Sequence, residues 1–130
     1  MLEQTQKKMP AEQAMPLLQM FSQWENTTTI ILHGGSVFEF KGVFPPGEMA
    51  HGFYNLKAGT GFEGHLNLAK VAAISFQSKD HRGQESHAFV FENKDGECVF
   101  KVFLGRDAAG VLHAEQKTAY LDMKQQYQQG

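Results

Sequence analysis

The sequence predicts an α+β fold in which helices flank a mostly antiparallel β-sheet. Short segments with alternating apolar and polar residues fill the middle of the chain, which is typical of strands with one buried face. Apolar residues at helical spacing occur near both ends instead. The order helix, strands, helix is typical of α+β proteins rather than of alternating βα units.

We expect a first helix over about residues 15–24 and a C-terminal helix beginning after Val111, where apolar residues fall on one helical stripe. Between them, Gly34 and Gly35 predict a tight hairpin turn, and the break at residues 45–47 ends that hairpin. About seven strands are predicted. They lie in the segments TTTIILH, SVFEFKG, HGFYNLK, FEGHLNL, VAAISFQS, SHAFVFEN and ECVFKVFLG.

The length and charge of the chain limit its class. A chain of 130 residues can bury one core, so we expect a single domain over residues 1–130, with the polar residues 1–10 flexible. The formal charge of -2, with scattered Lys and Arg, argues against binding of nucleic acid. No stretch approaches the roughly 20 apolar residues of a membrane span, so no membrane insertion is expected. The lone Cys98 and a start without an apolar signal segment predict a cytoplasmic protein.

The stretch MAHGFYNLKAGTGFEGHLNL, residues 49–68, carries the side chains of greatest chemical interest. Strand alternation places Tyr54 beside apolar neighbours, as a core ring or as an oxygen ligand for ferric iron. His65 is either a solvated strand residue or a ligand. His33 precedes the predicted turn and is either turn-exposed or a ligand.

Other site chemistries find little support in the sequence. The chain has one cysteine and lacks CxxC, HxH and HExxH spacings, which argues against structural zinc. It has no Gly-x-Ser-x-Gly elbow, and its Gly-rich segment leads into a strand rather than a helix, which argues against a serine nucleophile and a phosphate loop.

Four segments carry a resemblance to a known family: LHGGSVFEFKGVFP, HGFYNL, GFEGHLNL and CVFKVFLGRD. They resemble the small cytosolic haem-utilisation carriers of Gram-negative bacteria, the HutX/ChuX type. The likeness runs from about Trp24 to Tyr120, and the order and separation of HGFYNL and FKVFLGRD make it specific.

The resemblance implies a large curved antiparallel sheet, a homodimer, and haem b (iron protoporphyrin IX) bound in a cleft of each subunit. It implies a carrier rather than an enzyme, one that receives imported haem and passes it to a haem-degrading partner. By position, Tyr54 matches a tyrosine implicated as iron ligand in some members, whereas His33 and His65 match histidines implicated in others. Two alternatives stay open: a haem-degrading oxygenase-like enzyme, and a domain that binds flavin or another planar ligand.

Overall fold

The computed structural model describes residues 7–57, 59 and 61–129. Within them the chain forms nine strands, two α-helices and two short 3-10 helices. The strands are β1 (Met9–Pro10), β2 (Thr27–His33), β3 (Ser36–Gly42), β4 (Gly47–Ala50), β5 (Phe53–Leu56), β6 (Gly64–Leu66), β7 (Ala73–His81), β8 (Gln84–Glu92) and β9 (Cys98–Leu104). The α-helices are α1 (Ala14–Phe21) and α2 (Ala114–Gln129), and the 3-10 helices are Ala11–Gln13 and Leu68–Lys70.

The strands form two sheets. Six of them make an antiparallel sheet in the order β1-β7-β8-β9-β2-β3, and the other three make a smaller sheet in the order β4-β5-β6. The seven predicted strands are present, and the α+β prediction is confirmed. The two extra strands, β1 and β4, span only two and four residues and lack a run of alternation long enough to recognise. The expectation of a flexible stretch over residues 1–10 does not extend to Met9, which is buried and pairs with Ile74; residues 1–6 lie outside the described residues.

Three two-residue turns connect neighbouring strands. In each, both turn residues have positive φ, the geometry of a type I′ turn that matches the twist of a hairpin. Gly34 and Gly35 make the predicted turn between β2 and β3. The turn between β4 and β5 contains His51, with φ of 55°, followed by Gly52. The expectation that His51 belongs to a strand is therefore wrong. Histidine can occupy this turn position because it is among the residues that tolerate the left-handed region.

The core lies on one face of the large sheet. Its centre is Phe21 of α1, whose ring lies 5.2 Å from that of Phe89, 5.4 Å from Trp24 and 5.7 Å from Phe44, measured between centroids. Aromatic pairs at these separations add a favourable electrostatic term to the burial of their surface. The Phe-rich strands of the sequence thus pack chiefly through rings.

The C-terminal helix lies on the same core. Its predicted stripe is confirmed, because Tyr120 is fully buried and Ala119, Met123 and Tyr127 pack against the core. The fully buried Gln116 fastens the start of the helix: its Oε1 accepts from the Gly105 amide at 2.7 Å, and its Nε2 donates to a carbonyl oxygen at 3.0 Å. Neither α-helix of the described residues has the length and apolar character needed to cross a membrane.

Replacing Gln116 with leucine tests this attachment. The change keeps most of the side-chain volume but leaves the Gly105 amide and the Asn26 carbonyl without their side-chain partner. We expect the free energy of unfolding to fall by about 2–4 kcal/mol, because two buried polar groups lose their hydrogen bonds. The measurement is urea unfolding followed by circular dichroism. The control is Gln125→Leu on the exposed side of the same helix, and an equal effect of both changes would contradict the expectation.

Candidate functional site

The small sheet has two chemically different faces. Tyr54 lies directly opposite Leu66, and both point toward the core. Asn55 lies directly opposite His65 on the next pair, so these two side chains share the outer face. Because successive residues of a strand point to opposite sides, Tyr54 and His65 cannot reach one iron together in this arrangement.

Tyr54 lies within the core. Its side chain is fully buried, and the ring packs so closely on Gly47 that a Cβ at that position would lie 2.6 Å from the Tyr54 Cε2. The hydroxyl oxygen has no hydrogen-bond partner of ordinary geometry among the described residues. Burial raises the pKa of the phenol, and the nearby Gly47 backbone only partly offsets this. The group is therefore protonated at neutral pH, whereas a phenolate ligand must lose its proton.

His65 lies on the exposed face, held by a side-chain partner. Its Nδ1 is 2.5 Å from Oδ1 of Asn55, and its ring meets the ring of Phe53 edge-on at 6.3 Å between centroids. No hydrogen bond from the described residues reaches its Nε2. The imidazole is thus fixed in orientation with one nitrogen directed away from the strand pair.

An apolar cavity of about 190 Å³ opens beside His65. It lies where β6 approaches the C-terminal part of β2 and the start of β9. Its lining residues are Ile31, His65, Leu66, Asn67, Val99 and Phe100. The wall is almost wholly apolar, with the imidazole and one amide as its polar groups. It is suited to the edge of an apolar planar molecule.

His33 belongs to the same region of the surface. It is exposed and lies two residues after Ile31 on β2, so both side chains project from one face of the strand. Phe38 pairs with Ile31 and is exposed on the same face, whereas the exposed Leu32 and Val37 project from the opposite face. The structure thus places His65 at the wall of the cavity and His33 two residues from a cavity residue on β2, while Tyr54 lies beneath the small sheet.

A larger cavity of about 640 Å³ lies on the face of the six-stranded sheet turned away from the core. Its wall has one carboxylate, that of Glu39, and no His, Tyr, Cys or Met among the described residues that line it. Its cationic lining residues are Lys41, Lys79, Lys101 and Arg106. Without an iron-ligating side chain, this cavity does not suit haem iron.

Sequence reasoning missed the pairing of Asn55 with His65 and the contribution of Val99 and Phe100 to the cavity. Alternation placed Asn55 on the outer face of its strand, but the pairing depends on the register across residues 57–63, which alternation does not specify. The described residues contain no group of three or more His, Cys, Asp and Glu side chains placed to hold a bare metal ion.

Comparison with known proteins gives a family match over most of the chain. Residues 7–123 match the family described as Haem utilisation ChuX/HutX. The chain is also 40% identical over 117 residues to the intracellular heme transport protein HutX of Vibrio cholerae serotype O1. That alignment covers 89% of this chain and 61% of the relative, so the chain spans less than two thirds of the relative's length.

Solved structures share the fold. The crystal structure of ChuX superposes with a TM-score of 0.83 at 27% identity, covering 95% of this chain and 77% of that one. ChuS, an E. coli heme oxygenase, superposes with a TM-score of 0.74 at 18% identity, covering 88% of this chain and 36% of that one. At that identity the second likeness shows the fold alone. The expected haem-utilisation fold is confirmed.

Tyr54→Phe tests whether the buried hydroxyl contributes to stability. Because no partner of ordinary hydrogen-bond geometry for this hydroxyl lies among the described residues, we expect the free energy of unfolding to stay unchanged or to rise by up to about 1 kcal/mol. The matched control is Tyr120→Phe, whose buried hydroxyl lies 3.0 Å from the Ser78 hydroxyl and should cost about 1 kcal/mol. Chemical unfolding measures both, and an equal loss in the two variants would contradict the expectation.

Proposed function

The chain belongs to the ChuX/HutX haem-utilisation family, and we propose that it is a cytoplasmic haem carrier that receives imported haem and passes it to a haem-degrading partner. The observation that carries this proposal is the apolar cavity with His65 at its wall and the Nε2 of that ring without a hydrogen bond from the described residues. The Vibrio cholerae relative is named an intracellular heme transport protein, which is the same class of activity. We propose haem b as the cargo.

The cavity is suited to part of a porphyrin. A small-molecule site that buries most of its ligand occupies roughly 300–1,000 Å³, whereas the cavity beside His65 has about 190 Å³. One edge of the ring would enter between Ile31, Leu66 and Phe100, and the remainder would lie outside the cavity. The charged propionates would then face water, so binding would leave them solvated.

The three proposed iron ligands differ in geometric support. His65 is best supported, because its ring is exposed, oriented and adjacent to the cavity. His33 is second, since it projects from the same face of β2 as a cavity residue. Tyr54 would bind iron only if the small sheet separated from the core and the phenol lost its proton. Such a step would make it a ligand of a different conformation.

An open site with one fixed ligand is suited to a carrier. A carrier has to hold haem against loss to water and still release it to the next protein, so its bound state needs only moderate stability. An exposed histidine on a strand leaves the iron accessible to an incoming ligand from the partner. That arrangement favours direct transfer over sequestration.

We also propose that the chain is a homodimer. The exposed Phe38 lies on the face of the β2–β3 hairpin that carries the cavity residue Ile31, Leu32 and Val37 are exposed on the opposite face, and β3 is an edge strand of the large sheet. Apolar edges of this kind are normally covered in a stable protein. A second copy placed there would also shield the exposed part of the porphyrin.

Haemin titration of the purified protein tests the site. We expect one haem per chain, and His65→Ala should weaken ferric haem binding by at least about 10-fold and change the Soret maximum, because an iron ligand is lost. His33→Ala should have a smaller effect. The matched control is His113→Gln, which removes a histidine hydrogen-bonded to Asn26 at 3.1 Å outside the cavity lining. Unchanged binding in His65→Ala together with its collapse in Tyr54→Phe would reverse the proposed order of ligands.

Exposure of the haem complex to ascorbate in air separates carriage from degradation. We expect the Soret band to persist without iron release, because the proposed role requires that the porphyrin leave intact. Absorbance spectra and an iron chelator follow the two products. Decay of the Soret band with iron release would favour a haem-degrading enzyme, and purification with a bound flavin and no response to haemin would favour the planar-ligand alternative.

A further inference from the structure

We propose that Asn55 is a positioning residue for His65: it holds the proton of the neutral imidazole on Nδ1 and thereby leaves the lone pair of Nε2 available to iron. The inference rests on the proposed function only for the identity of the metal. The placement of the proton follows from the hydrogen bonds of the small sheet.

Three carbonyl oxygens determine the orientation of the Asn55 amide. Its Nδ2 lies 3.0 Å from the carbonyl oxygen of Ala50, 3.1 Å from that of Phe53 and 3.5 Å from that of Glu48. Carbonyl oxygens only accept hydrogen bonds, so the amide nitrogen must face them. The opposite orientation would place the Asn55 oxygen against three acceptors, where no hydrogen bond can form.

The oxygen of the same amide faces His65. With Nδ2 directed at the turn, Oδ1 is directed across the strand pair at the His65 Nδ1, 2.5 Å away. An amide oxygen only accepts, so the hydrogen in this contact belongs to Nδ1 of the imidazole. A neutral imidazole carries one ring proton, and Nε2 therefore has a free lone pair.

The small sheet itself maintains this contact. Asn55 and His65 are directly opposite each other in the β5–β6 ladder, and the carbonyls that orient Asn55 belong to β4 and to the first residue of β5. The orientation of the imidazole thus depends on hairpin geometry rather than on a mobile loop. Ligating histidines commonly donate their second ring N–H to a fixed acceptor, which increases their basicity toward the metal.

The expected effect of losing the acceptor is a change of tautomer. Free neutral histidine in water favours the proton on Nε2, which is the form whose Nε2 cannot bind a metal. In Asn55→Leu no side-chain oxygen faces the ring, so we expect the proton to move to Nε2 in most molecules. Ferric haem affinity should then fall by about 10- to 100-fold, the usual cost of losing a residue that orients a metal ligand.

The experiment reads the tautomer directly in the haem-free protein. Long-range ¹H–¹⁵N correlation spectra of protein labelled with ¹⁵N-histidine, recorded at about pH 8.5, well above the pKa of histidine in model peptides, distinguish a protonated ring nitrogen from an unprotonated one. We expect His65 to carry its proton on Nδ1 in the wild type. The control is Asn93→Ala, which removes an asparagine that caps the 93–97 turn and should leave the His65 tautomer and haem affinity unchanged.

Three results would overturn the proposal: a wild-type His65 with its proton on Nε2, an Asn55→Leu protein that keeps the proton on Nδ1, and an altered tautomer without loss of haem affinity. If Asn55→Leu does not give a folded amide spectrum, Asn55→Ala, which also lacks the acceptor oxygen, is measured in its place with the same expected result. Failure of the proposed function is separable. In that case His65→Ala would bind haem like the wild type, although the spectra of the haem-free protein still placed the proton on Nδ1.

Discussion

The candidate site depends on the burial of one face of the small sheet against the core. Tyr54 and Leu66 pack inward beside the aromatic cluster around Phe21, and strand alternation then directs Asn55 and His65 to the surface. A shift of β6 by one residue against β5 would turn over the faces of β6, placing the His65 imidazole toward the core and Leu66 in water. The choice between an imidazole and a phenolate as the accessible group is thus a consequence of packing.

The two sheets contact each other through side chains, whereas the strands within each sheet are joined by backbone hydrogen bonds. Each has its own ladder of backbone hydrogen bonds, and the ladders of the described strands form separate sheets. Contact between the sheets therefore relies on side-chain packing, which includes a buried hydroxyl on Tyr54 without a partner and a close fit of its ring on Gly47. An unpaired buried hydroxyl makes that packing less favourable than a wholly apolar one. The small sheet could consequently move relative to the large one without breaking the ladder hydrogen bonds of the described strands.

Buried polar side chains attach α2 to the large sheet at the side of the core away from the cavity. Gln116 joins α2 to the residue before β2 and the residue after β9. Tyr120, Ser78 and His87 form a chain of hydrogen bonds between α2 and the large sheet. These links fix the scaffold, and the cavity beside His65 is left apolar. Such a division is favourable for a site that accepts a large apolar ring, because few protein hydrogen bonds have to break when the ring enters.

Much of the fold follows from the sequence alone. Seven strands, both helices and the Gly34-Gly35 turn are recognisable because alternation, helical spacing and paired glycines are local signals. The likeness of HGFYNL and its companion segments identified the family, and the match over residues 7–123 agrees. Local signals also placed Tyr54 and Leu56 on one face of their strand. Only the tertiary structure decided that β4 pairs with β5 through a turn at His51, that Asn55 faces His65, and that Ile31, Val99 and Phe100 meet beside it. The reason is physical: register and sheet packing depend on contacts between residues distant in the chain, and no periodicity within one segment encodes which partner it will meet.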